Sequence, residues 1–114
     1  MKIEKFEDIV AWQKSKVLVV LCYETFSSLK DYNFRDQILR AAVSIMNNIA
    51  EGFERKGNKE FKHFLYISKG SCGELRSMLN AALELKYISR DKFDNLSQKS
   101  IEISRILSGL IKKL

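Results

Sequence analysis

No residue of this chain is proline. A proline inside a helix removes a backbone hydrogen bond and clashes with the preceding turn, at a cost of about 3 kcal/mol. Average usage would place roughly five or six in a chain of this length. With only 5 glycines beside that absence, loop-rich sandwiches, proline-rich linkers and low-complexity tails fit poorly. Long uninterrupted helices fit well. The hydrophobic share, 46%, is that of a globular chain rather than a disordered one. The 114 residues make a single domain, 1–114, with a real core and no room for a second.

Four segments carry the helical period, at about 8–29, 35–55, 59–86 and 90–113. In the first, Ile9, Val10, Gln13, Val17, Val20, Leu21 and Glu24 recur at i, i+3, i+4 spacing. Leu18, Val19 and Cys22 cover the neighbouring arc, so its middle is apolar nearly all round. An edge helix of a monomeric bundle needs one apolar stripe; the excess predicts a second burial surface, against another subunit. Lys30-Asp31-Tyr32-Asn33 breaks the pattern. The second helix carries a ridge of Ile38, Ala42, Ile45, Ile49 and Phe53. Gly57 reads as the residue that closes it, and Asn58 as the N-cap of the third. The third has Phe61, Phe64, Leu65, Ser68, Cys72, Leu75, Leu79 and Ala82 on one face, and its Gly70 and Gly73 are expected where another backbone comes close. Ser89 reads as the N-cap of the fourth. Long helices joined by short breaks pack as antiparallel neighbours. The expected fold is all-α, an up-down-up-down antiparallel four-helix bundle.

Helix 2 also has a polar stripe: Gln37, Arg40, Ser44, Asn48, Glu51 and Arg55 fall within about 80° at 100° per residue. A solvated face is the ordinary explanation, yet Ser44 and Asn48 are short where such a face favours Lys and Glu. If helices 2 and 3 form a hairpin about Gly57, Arg40 meets Glu74, Ser44 meets Gly70, and Asn48 lies near Tyr66. This predicts a structural polar seam of Arg40, Ser44, Asn48, Glu51, Gly70, Ser71 and Glu74, with an Arg40–Glu74 ion pair. Anion binding is the functional alternative for the same residues. Glu51 and Arg55 are spaced for an i,i+4 pair.

Twenty Lys and Arg against 14 Asp and Glu leave a formal charge of +6. That permits contact with nucleic acid or an anionic surface, though interspersed signs also fit a merely solvated surface. Around the helix 2–3 turn lie Arg55, Lys56, Lys59, Lys62 and His63, set against Glu54 and Glu60 and interleaved with Phe53, Phe61, Phe64 and Tyr66. Such a mixture can hold phosphates and stack bases, although Phe61 and Phe64 at helical spacing read first as core. A second basic set (Lys86, Arg90, Lys92, Lys99, Arg105, Lys112 and Lys113) is expected over the other end and the fourth helix. Repeated around a ring, either set becomes a charged belt for a polyanion.

Site chemistry of the enzymatic kind is missing from the pattern. His63 is the single histidine, with no nucleophile placed on its helical face. There is no Glu-x-x-His pair for a di-metal bundle, and Gly70-Ser71-Cys72-Gly73 matches neither glycine-rich phosphate loop. No catalytic residues, metal or cofactor are expected. Cys22 and Cys72, without C-x-x-C spacing, read as reduced and buried. Met1-Lys2-Ile3-Glu4-Lys5 mixes signs and lacks the apolar stretch of a secretory signal. The longest apolar run, Val17 to Tyr23, is far short of the ~20 residues that span a bilayer. A cytoplasmic protein with no membrane contact is expected.

Several short stretches occur together in a familiar order: Phe6-Glu7-Asp8-Ile9 with Trp12-Gln13-Lys14, then Gln37-Ile38-Leu39-Arg40-Ala41-Ala42-Val43-Ser44-Ile45. Asn48-Ile49-Ala50-Glu51-Gly52 with Arg55 follows, then Gly70-Ser71 with Glu74-Leu75. The chain resembles the bacterial four helix bundle protein family, the 23S ribosomal RNA intervening-sequence proteins, firmly over residues 6–88 and by pattern alone in the fourth helix. Met46 stands where that family often has proline, which removes the usual cause of a kink in helix 2. The resemblance implies a homopentameric, barrel-like ring with a basic surface. It also implies kinship to the accessory variability protein of diversity-generating retroelements, which works with a reverse transcriptase and nucleic acid. The expectation is therefore a non-enzymatic oligomeric bundle that meets RNA or DNA phosphates through Arg55, Lys56, Lys59, Lys62, His63, Lys112 and Lys113. A protein-interaction scaffold or accessory subunit, with a protein partner instead, is the competing expectation.

Overall fold

Freed of proline, the chain turns into four helices with little between them. A computed structural model describes residues 3–114. In it α1 is Val10–Phe26, α2 Tyr32–Glu54, α3 Asn58–Glu84 and α4 Arg90–Lys112, preceded by a 3-10 turn at Phe6–Asp8. Met1 and Lys2 of the mixed-sign N-terminus lie outside the described residues. Each helix packs on its sequence neighbours, α4 closes against α1, and the diagonal pairs stand further apart across the shared core. This is the four-helix bundle. Its long dimension, 43 Å, is somewhat more than the ~35 Å of a helix of α2's length.

The clearest core stripe belongs to α3, where Phe61, Leu65, Ser68, Cys72, Leu75, Leu79 and Ala82 are all buried. Their steps alternate four and three, and the mean of about 3.5 keeps one seam facing its partners along a bundle. The stripe meets Ile38, Ala42, Ile45 and Ile49 of α2 and Leu96, Ile103 and Leu107 of α4. The serines on these faces are buried with their hydroxyls engaged. Ser15 donates to Ala11 O at 2.6 Å, Ser68 to Ile45 O at 2.7 Å and Ser100 to Cys72 O at 3.1 Å. The last two tie α3 to α2 and α4 to α3. A buried hydroxyl with a carbonyl partner avoids the penalty of a lost hydrogen bond.

Helix α1 reverses the expected emphasis. Its buried stripe is Ala11, Ser15, Leu18, Cys22 and Phe26. The periodic valines face outward: Val10, Val17 and Val20 are 48%, 51% and 50% exposed. The helix thus carries two apolar faces, of which the bundle buries one.

Boundaries also shift, for reasons visible at the caps. Asp31 caps α2 by accepting from Phe34 N at 3.2 Å, drawing Tyr32 and Asn33 into the helix rather than the break. Arg55, not Gly57, is the C-cap of α2; Gly57, at φ 84°, is the N-cap of α3, and Asn58 is the first helical residue. Helix α3 stops at Glu84 because Lys86 takes a left-handed conformation, φ 63°. Lys86 N then bonds Leu83 O and Tyr87 N bonds Ala82 O, which is the Schellman arrangement. Ser89 caps α4 as expected, accepting from Lys92 N. No proline interrupts α2, which runs unbroken through Met46.

Close backbone approach occurs at neither Gly70 nor Gly73. A Cβ at either would meet nothing within 4 Å. It occurs at Gly52, where a Cβ would lie 2.6 Å from Phe64 Cβ and 3.2 Å from Phe61 O.

The far end of the bundle is latched by Asp31, whose second oxygen accepts from Tyr87 Oη at 2.7 Å while Phe34 and Tyr87 meet edge-on at 5.3 Å. The hydrogen bond to Asp31 raises the Tyr87 phenol above its ordinary value of 10.0, with desolvation and the Asp31 charge adding to it. A raised folded-state pKa gives stability that is complete below the ordinary tyrosine range and is lost as pH climbs through the raised value. Urea unfolding of the wild type and of Tyr87→Phe should therefore differ at neutral pH. The difference should shrink above about pH 10, as the phenol ionises against the carboxylate.

Candidate nucleic-acid interface

The α2–α3 turn and the end of α4 bring basic side chains to one end of the bundle, beside the exposed Glu54 and Glu60, because α4 returns antiparallel to the end where α2 finishes. A cleft of about 450 Å³ there is lined by Phe53, Arg55, Gly57, Phe61, Leu110 and Lys113, among others. Lys112 and Lys113 thus join Arg55, Lys56 and Lys59 instead of lying at the opposite end with Lys86 and Arg90. Sequence distance concealed this grouping.

Within it the side chains differ in freedom. Arg55 Nε donates to Glu51 Oε2 at 2.9 Å, and its guanidinium lies 5.0 Å from the centroid of the Phe64 ring. It is held in place but still half exposed. Lys56, Lys59, Lys112 and Lys113 are exposed, and none joins an ion pair among the described residues. Lys62 is half-buried, and the exposed His63 ring stands edge-on to Phe64 at 5.4 Å. Phe61 is buried, meeting Phe53 edge-on at 5.8 Å. Of the four interleaved aromatics, Tyr66 is the widely exposed one, at 57%.

The seam between α2 and α3 is smaller than expected. Ser44 Oγ and Ser71 Oγ are 2.9 Å apart, and Asn48 Nδ2 donates to both Ser44 O (2.8 Å) and Ser44 Oγ (2.9 Å). Ser44 therefore meets Ser71 rather than Gly70, a register one residue further along. Gly70 is left exposed, and so is Glu74 one turn on, on the same side of α3. The expected Arg40–Glu74 ion pair does not form. Arg40 instead borders a cleft between α1 and α2 with Tyr23, Arg35, Asp36 and Leu39.

A polar group between α3 and α4 has no counterpart in the sequence reading. Lys69 Nζ donates to Ser104 Oγ at 3.1 Å and to Ser108 Oγ at 2.8 Å. All three residues are half-buried. Further along this groove, Gly73, Arg76, Asn80, Asp94, Ser97 and Ile101 line a depression of about 540 Å³. Ser97 Oγ is buried there without a hydrogen-bond partner. The serines at 97, 100, 104 and 108 form a stripe along α4, a signal present in the sequence but readable only once α3 is known to face it.

Neither thiol suits nucleophilic chemistry. Burial pushes Cys22 up to about 12. Burial likewise pushes Cys72 to about 11, against opposing pulls from a Ser100 hydrogen bond and the positive charges of Lys69 and Arg76. Both stay protonated at neutral pH, and the thiolate is the reactive form. Among the described residues no group of His, Cys, Asp and Glu could hold a metal ion. No described helix is long and apolar enough to cross a membrane.

Comparison with known proteins agrees with this architecture. No curated protein matches the chain. Among solved structures it is similar to a protein of unknown function from the S23 ribosomal protein family of Bacteroides thetaiotaomicron, with 26% identity and a TM-score of 0.84. That match covers 90% of this chain and 96% of the other. The family model described as 23S rRNA-intervening sequence protein matches residues 7–109, from the 3-10 turn into the last turns of α4. The chain belongs to the 23S rRNA-intervening sequence protein family.

Proposed function

We propose that this protein acts by binding rather than by catalysis, as an oligomer that presents its basic end to RNA. The observation that carries the reading is the convergence of Arg55, Lys56, Lys59, Lys112 and Lys113 on one end of the bundle, four of the five exposed and outside any ion pair. Unpaired cations gain most from a polyanion, because binding releases the counterions condensed on its phosphates. The family's link to ribosomal RNA intervening sequences points to RNA as the polyanion. Self-association rests on the outward valines of α1, an apolar stripe beyond what a monomeric bundle needs. Five copies are what the family resemblance implies. The same stripe equally suits a different protein, the scaffold reading, and measured mass decides between them.

A salt titration against structured RNA tests the proposal. The affinity is expected to fall steeply with salt, and Lys59→Gln with Lys113→Gln should reduce the log–log slope by roughly one per removed phosphate contact. Lys86→Gln with Lys92→Gln, at the opposite end, should leave it unchanged. Absence of binding at low salt would defeat the reading.

A further inference from the structure

Lys69 is a half-buried ammonium whose protein partners are two neutral hydroxyls. No carboxylate pairs with it. An ammonium drawn partly out of water is normally compensated by an anion, and hydroxyl dipoles compensate it only in part. The serines accept from Lys69 through their oxygens, which leaves each O–H proton available as a donor. Neither bonds the carbonyl one turn back, as Ser15 and Thr25 do at 2.6 Å and 2.8 Å. One ammonium and two spare hydroxyl donors therefore converge at the rim of the groove, and these are the donor types that hold phosphate oxygens.

The surroundings extend the same chemistry. At 100° per residue, Lys62, Tyr66, Lys69, Gly73 and Arg76 fall within about 80° of one another on α3, and Lys62, Lys69 and Arg76 follow at steps of about 10 Å. Between Glu60 and Glu74 the helix has no acidic residue. On the facing part of α4, Glu102 is turned away to Lys14 at 3.5 Å and Asp94 is engaged by Arg90 at 3.4 Å. Three cations thus share this face of α3, with the exposed Tyr66 beside the first of them and Asp94 opposite Arg76 in the far part of the groove.

We propose that Lys69, with the hydroxyls of Ser104 and Ser108, forms a phosphate-binding site between α3 and α4 that takes the sugar–phosphate backbone of a nucleic acid. This deepens the RNA reading above and rests on it, extending the contact from the basic end along the α3–α4 groove. Lys62 and Arg76 flank the site, and Tyr66 offers a face on which a base can stack.

The test uses the full chain, with structured RNA and inorganic phosphate as separate probes. Lys69→Gln should weaken RNA binding several-fold and lower the salt slope by about one. The double variant Ser104→Ala with Ser108→Ala should weaken binding while keeping the slope, because the charge remains. Helicity and melting temperature of each variant are checked first. Amide resonances of residues 104–108 should shift with inorganic phosphate but not with chloride at matched ionic strength. Should the wild type bind RNA with both variants unchanged in affinity and slope, and resonances 104–108 stay still with phosphate, the site is overturned and the basic end keeps the function. A phosphate response with RNA binding indifferent to the substitutions overturns the nucleic-acid backbone as ligand, leaving a site for free phosphate. If the wild type shifts with phosphate but fails to bind RNA at low salt, the RNA reading itself is overturned.

Discussion

Gly52→Ala should lower the melting temperature by roughly 4–12 °C, although alanine is the better helix former by up to about 1 kcal/mol. The new methyl group would sit 2.6 Å from Phe64 Cβ and 3.1 Å from Phe61 Cδ1. Phe64 Cβ is anchored to the backbone of α3, so it cannot swing aside as the tip of a long side chain can. Relief requires α2 and α3 to separate near the turn, where the Phe53–Phe61 contact and the Arg55–Phe64 stacking are also made. Overpacking of this kind typically costs about 1–3 kcal/mol. Gly70→Ala and Gly73→Ala provide the control. Each gains helix propensity and meets nothing within 4 Å, so in an isolated bundle each should raise the melting temperature. The opposite signs, read by circular dichroism on one scaffold, separate a packing glycine from an unconstrained one.

Paired substitution of Val17→Glu and Val20→Glu should convert the proposed oligomer into a folded monomer. Both valines are about half exposed on the outer face of α1, so the bundle loses little by their replacement; such surface changes usually stay within about 0.5 kcal/mol. An interface would lose its apolar contact and acquire like charges on facing copies, which disfavours association strongly. Light scattering should report the mass falling to that of one chain while the melting curve stays cooperative. The reverse pattern is expected one residue away. Leu18 is fully buried, and Leu18→Ala should cost about 2–5 kcal/mol of stability. A wild-type protein that is already a monomer at tens of micromolar would sink the oligomer proposal.

How much of this could be read from the residues depended on whether a side chain's meaning was local. The α3 stripe was legible because every member except Ser68 and Cys72 is strongly apolar and the steps alternate cleanly. On α1 the valines drew attention from the true core, which includes Ala11 and Ser15. A small residue and a hydroxyl look like surface until Ser15 is seen donating to Ala11 O. Gly52 escaped notice for a related reason: its role comes from phenylalanines on another helix. The basic residues were legible individually, but the meeting of Lys113 with Arg55 depends on α4 returning to the turn. The Arg40–Glu74 pairing failed by a register step of one residue, an error that hairpin arithmetic cannot avoid. Lys69 was unreadable because a lone lysine acquires meaning only from the serines opposite it.

The alternation of helix directions carries a last consequence. At the end bearing Arg55 and Lys113, α1 and α3 begin while α2 and α4 finish. Two positive helix termini there oppose two negative ones, and the peptide macrodipoles largely cancel. The electrostatic potential of that end is consequently set by its charged side chains, such as Arg55, Lys56, Lys59 and Lys113, which are exposed and lie outside the buried core. Recognition can then drift, sharpen or reverse in sign through a few exposed substitutions while the packing stays the same, which leaves one rigid scaffold free to acquire different partners.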